Sequence, residues 1–237
     1  MNPIRIHYRF RLDQGKEESI ELQLDPQTLL TLTPQNKKQP PQWAELAFHQ
    51  CLNCPLNPAT TPYCPAAVNM IGLVERLKEL LSYDQTLVVV MIEDRTVYSR
   101  TTIQRAICSL MGLLMATSAC PLTSFFKPMA RFHLPFASME ETIWRAASSY
   151  LMAQYFHHQD GRQADAMFDG LSQIYTEIQK VNHSFVKRLR AVCKNDSMIN
   201  AVILLDLFAK SMPPAINESL EEIEHLFTPY LSRIYES

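Results

Sequence analysis

The chain has 237 residues, 47% of them hydrophobic and 19% charged, with a formal net charge of −2. That length buries a sizeable core in one large domain or two small ones, and the composition excludes a disordered chain. The near-neutral charge gives no electrostatic reason to expect nucleic acid or anionic membrane as a partner, and five glycines without a GxGxxG or GxxxxGK[ST] run argue against a phosphate cradle.

Ile4, Ile6, Tyr8, Phe10 and Leu12 alternate with Arg5, His7, Arg9 and Arg11, the period of a strand with one buried face. Residues 13–16 carry a turn signal and 19–24 alternate again, which predicts an N-terminal β-hairpin with Arg5, Arg9 and Arg11 facing water. No apolar leader follows Met1, and no apolar run reaches membrane-spanning length, so a cytoplasmic location is the expectation. Residues 35–42 read as a polar linker, 43–50 as helix-like, and 51–65 as an irregular, proline-punctuated loop. The 3–4 spacing of Ile71, Val74, Leu77 and Leu81 predicts a helix over 69–81. A β-branched run at 86–92 predicts a buried strand, 93–95 a turn, 96–99 a returning strand and 102–117 a largely apolar helix.

The second half changes character. Ser138-Met-Glu-Glu141 is a capping box opening a helix to about residue 157, and Asp160-Gly161 turns the chain. Apolar residues then hold helical spacing from Ala164 to Val192. Residues 198–210 are apolar nearly all round, which predicts a central helix, and a last amphipathic helix begins near residue 217 with a kink at Pro229. The expected fold is α+β: residues 1–135 form an antiparallel sheet with helices on one face and a cysteine-rich segment, and 136–237 form a helical bundle. The two parts are either separate domains or one core, since Cys120 lies near the junction.

The sharpest chemical signal is the cysteine usage. Cys51-Leu-Asn-Cys54 and Cys64 fall within fourteen residues, and Cys54, Cys64 and Cys120 are each followed by proline. A Cys-x2-Cys turn lets two thiolates grip one ion, and clustered cysteines in a reducing compartment point to metal before disulfide. Cys51, Cys54, Cys64 and Cys120 are therefore the candidate ligands of a structural zinc, which would serve a binding or regulatory protein whose partner is another protein. The repeated Cys-Pro favours the alternative of an iron–sulfur cluster with a redox or iron-sensing role. His49 is a second possible ligand, whereas Cys108 and Cys193 read as small hydrophobes.

Residues 117–136 form another proline-punctuated stretch, in which Arg131 and His133 alternate with Phe132 and Leu134. They are either part of a packed connecting loop or the polar groups of an enzyme pocket beside the cysteine loop. Glu222-Ile-Glu-His225 is half of a di-iron motif without its second half, so it reads as a surface helix. His157 and His158 read as complements to a helix dipole, and Lys187, Arg188, Arg190 and Lys194 as a solvated basic helix end. No GxSxG, HExxH or deaminase signature occurs.

The strings CLNCPLN and PYCPAAVN, with ACPLT and RFHLPFAS further on, resemble those of a group of uncharacterised bacterial proteins of this size. That resemblance rests on the four cysteines and residues 131–138. It implies that the cysteines act as a set and implies no particular activity.

Overall fold

A computed structural model describes residues 2–12, 15–32 and 39–233. The 13–16 turn and the 35–42 linker fall partly outside the described residues. Strands β1 (Ile4–Arg11), β2 (Glu17–Leu24), β3 (Gln85–Ile92) and β4 (Arg95–Thr102) form one antiparallel sheet in the order β2-β1-β3-β4. Alternation explains its two faces. Ile4, Ile6, Tyr8 and Phe10 of β1 point inward with Leu22, Leu24, Val88, Val90 and Ile92, while Arg5 and Arg11 stay exposed.

Helices α1 (Pro65–Leu77) and α2 (Ile103–Ala116) cover the inner face. α1 starts four residues before the expected start at 69, because Cys64 takes the N-cap position and Pro65 the first turn, where a missing N–H costs nothing. The stretch 117–136 is more ordered than its prolines suggest. It contains a 3-10 turn (Ser124–Phe126) and the short helix α3 (Lys127–Arg131).

α4 (Met139–Gln159) opens with the full capping box. The Ser138 hydroxyl accepts the Glu141 N–H at 3.1 Å, and the Glu141 carboxylate accepts the Ser138 N–H at 2.7 Å. α5 (Asp169–Arg190) begins five residues later than its apolar spacing, because Asp165 organises the preceding loop. Its carboxylate accepts N–H groups from Met167 and Gly170 and the Tyr150 hydroxyl. α6 (Ser197–Ile223) runs on through Pro213 and Pro214, merging the two helices expected at 198–210 and from 217. The chain then closes with a 3-10 turn (Glu224–Phe227) and α7 (Thr228–Arg233).

The buried apolar residues form one continuous cluster that runs from the sheet through α1 and α2 to α5 and α6. The α+β expectation holds, with the sheet N-terminal and the helices following it. Among the described residues, no helix is long and apolar enough to cross a membrane.

Candidate functional site

The cysteine segment shows first what the chain does not build. Among the described residues, no group of three or more His, Cys, Asp or Glu side chains is arranged to hold a metal ion, and all six cysteines are free. This overturns the zinc reading of Cys51, Cys54, Cys64 and Cys120, and with it the iron–sulfur alternative on the same residues. The four share a neighbourhood, since charge on Cys51 would be felt by Cys54, Cys64 and Cys120. Burial pushes the Cys51 thiol up to about 11 and raises Cys64 as well, which keeps both protonated at neutral pH.

What fastens the loop is ordinary hydrogen bonding. The Asn57 carbonyl accepts the N–H groups of Thr60 and Thr61, its side chain accepts that of Ala59, and Leu46 donates to the Pro62 carbonyl. Asn53 donates from its amide to the carbonyl and carboxylate of Glu177 on α5, at 3.1 and 2.7 Å. The decisive clamp is Arg188. Read from sequence as part of a solvated basic end, it is 0% exposed. Its Nη1 donates to the carbonyls of Trp43 and Glu45 at 2.7 and 2.8 Å, and its Nη2 to Leu46 at 3.0 Å. These bonds explain why the helix expected over 43–50 is only a 3-10 turn (Gln42–Ala44): the carbonyls that would continue it are turned toward the guanidinium.

Arg131 and His133 separate. They sit where α3 ends rather than on an extended strand, so positions two apart do not share a side. Arg131 lies outside, 38% exposed, 3.7 Å from Glu93 and stacked over Phe132. The alternative of a pocket containing both residues does not form.

His133 turns inward, into the wall of a cavity of about 430 Å³ enclosed by α2, α3, α4, α5 and α6. Leu113, Met115, Phe126, Ile178, Leu205 and Phe208 give it an apolar body. One wall is a polar chain reaching back to the sheet. The Tyr8 hydroxyl lies 2.6 Å from His133 Nε2 and 3.0 Å from Ser109 Oγ, which also accepts the Phe136 N–H at 3.2 Å. Burial holds the His133 imidazole neutral, its pKa lowered to about 3, with the nearby Arg145 charge pressing the same way. Burial likewise drives the Cys108 thiol in this wall up to about 12.

Two more polar groups break the apolar lining. Asn182 on α5 is 1% exposed, and its Nδ2 has no hydrogen-bond partner. Arg145 on α4 donates from Nη2 to the carbonyls of Met129 and Phe132. Among the described residues, no carboxylate lines the cavity. Sequence reading passed over Asn182 and took Arg188 for part of a solvated helix end. The available signal was their phase, since both fall among the buried positions of α5, beside Ile178, Val181, Phe185 and Leu189.

A family model described as a domain of unknown function (DUF6901) matches residues 6–228. The chain belongs to that family. The DUF6901 match takes in all six cysteines and every cavity-lining residue, so both features lie within the family's domain rather than in an appendage. No curated protein and no solved structure matches the chain.

Proposed function

We propose that the protein binds a small, mainly apolar molecule in the cavity between α2 and α6. The observation that carries this reading is the cavity itself, about 430 Å³ with an apolar lining that a few polar side chains interrupt, among them His133, Arg145 and Asn182. The cavity falls within the roughly 300–1,000 Å³ range of small-molecule sites, which pair an apolar lining with a few polar groups.

The test uses the neutral fluorophore N-phenyl-1-naphthylamine, which brightens in apolar surroundings. A Cβ at Gly112 would meet only Leu205 Cδ2, at 3.6 Å, so Gly112→Leu fills the cavity from the α2 wall. The variant also gains about 1 kcal/mol of helix propensity, which protects the fold. The expected result is saturable fluorescence with the parent chain and its loss in Gly112→Leu at an unchanged or higher Tm. Equal fluorescence from both proteins would show that the probe binds elsewhere and would overturn the proposal.

A further inference from the structure

We infer that the ligand is an amphiphilic carboxylate, its anionic head held by Arg145 and Tyr175 and its hydrocarbon body lying along α5 toward Asn182. This inference rests on the binding reading above and assigns the ligand's class.

Charge argues for an anion. Among the described residues, Arg105 and Arg145 are the charged residues in the lining, Arg105 exposed and Arg145 half-buried, and no Asp or Glu joins them. Arg145 forms no ion pair among the described residues. Its Nη2 is committed to two backbone carbonyls, while Nη1 and Nε have no protein acceptor among the described residues. The one carboxylate near enough to favour its charge, Glu141, is engaged in the Ser138 capping box. A half-buried guanidinium with free donors and no counterion favours a planar anion that accepts two parallel N–H bonds.

Geometry supplies the rest. Tyr175, 5% exposed, lines the same cavity close enough to Arg145 for that charge to act on its hydroxyl. Among the described residues the hydroxyl has no hydrogen bond, so it is free to donate to a second carboxylate lone pair. Asn182 follows seven residues later, two turns or about 10 Å further along α5. Between them Ile178 and, from facing helices, Leu205 and Phe208 present only hydrocarbon. A phosphate head, with more lone pairs to satisfy, would find too few donors here.

The experiment measures displacement of N-phenyl-1-naphthylamine by decanoate, decanol, decylamine and decyl phosphate. Decanoate is expected to displace it about tenfold or more better than decanol, as for a hydrogen-bonded charge in a partly buried site. Arg145→Gln is expected to abolish that preference while still binding the fluorophore. Because Arg145 also supports the Met129 and Phe132 carbonyls, Tyr175→Phe serves as the second variant. It removes only an unpartnered hydroxyl and is expected to weaken decanoate by about threefold or more without affecting decanol. If the fluorophore binds the parent chain but decanoate and decanol compete equally, the carboxylate assignment fails and the cavity reading stands. Tighter binding of decyl phosphate or decylamine would also overturn the assignment. No fluorophore binding at all would remove both readings.

Discussion

Removing the Arg188 guanidinium should cost about as much stability as truncating a large buried apolar side chain of α5. In Arg188→Met the side chain keeps much of its volume but loses every donor. Two buried carbonyls, those of Trp43 and Leu46, then lose their partner, while that of Glu45 keeps the Phe48 N–H. Each unsatisfied buried acceptor costs about 1–3 kcal/mol. Against this, the folded state no longer carries a desolvated cation whose Nε has no partner. The balance stays unfavourable because the carbonyls cannot be replaced along with the arginine, and a net loss of about 3–5 kcal/mol follows. That is a large share of the roughly 5–15 kcal/mol typical of a folded domain. Urea unfolding followed by tryptophan fluorescence reads the loss, since Trp43 sits in the clamp. Reaction with a thiol reagent under native conditions gives a second reading, because a released 43–46 turn uncovers Cys64, whose N–H donates to the Ala44 carbonyl at 2.8 Å. A stability within about 0.5 kcal/mol of the parent, with Cys64 still protected, would refute the clamp. Arg188→Lys should recover only part of the loss, since an ammonium lacks the planar fork.

Other outcomes follow from the same coordinates. His133 has a folded-state pKa near 3 against 6.5 when free, so the unfolded chain binds the extra proton first. Its contribution is whole above about pH 6.5 and is lost as pH falls toward 3, amounting to about 2 kcal/mol by pH 5. Thermal melts at pH 7 and 5 should show this drop, and His133→Gln should flatten it; an unchanged slope would place the titration elsewhere. Ser138→Ala should lower stability by about 1 kcal/mol, a Tm shift of roughly 2–4 °C, by removing one half of the capping box. Gly170→Ala would drive a Cβ into the Tyr150 hydroxyl that Asp165 accepts. Urea titration should show a loss of about 1–3 kcal/mol, which Tyr150→Phe should partly relieve in the double variant.

The sheet and the α4 cap were legible because their causes are local. Alternation in β1 fixes its buried face by itself, and Ser138 and Glu141 find each other within one turn. Residues 43–50 were misread because their carbonyls are claimed by an arginine more than 140 positions away, a cause no local window contains. Helix α6 passes through Pro213 and Pro214, where local rules favour a break, and packing against α2, α4 and α5 outweighs the lost backbone bonds. The metal reading took proximity in sequence for coordination geometry, whereas Cys51 and Cys64, kept protonated by burial beside the Arg188 charge, pack as small apolar groups. The cavity was hidden for a different reason. Its walls come from five helices, and on α5 the polar intrusion of Asn182 into the apolar stripe marks the cavity face as unusual.

The Tyr8 hydroxyl has a consequence for how strand β1 finds its place. The inward face of β1 reads Ile4, Ile6, Tyr8, Phe10, four side chains of broadly similar bulk. Sliding the strand by one residue would turn all four to water, and burial alone forbids it. Sliding it by two would keep the face apolar and lose little hydrophobic energy. It would also set Ile6 or Phe10 against Ser109 and His133, leaving the buried His133 ring without its partner while Ser109 keeps only the Phe136 N–H. A single oxygen therefore separates the native pairing from its nearest competitor. A Tyr8→Phe chain should keep most of its core and lose certainty of alignment, which would appear as doubled backbone amide resonances along β1, β2 and β3.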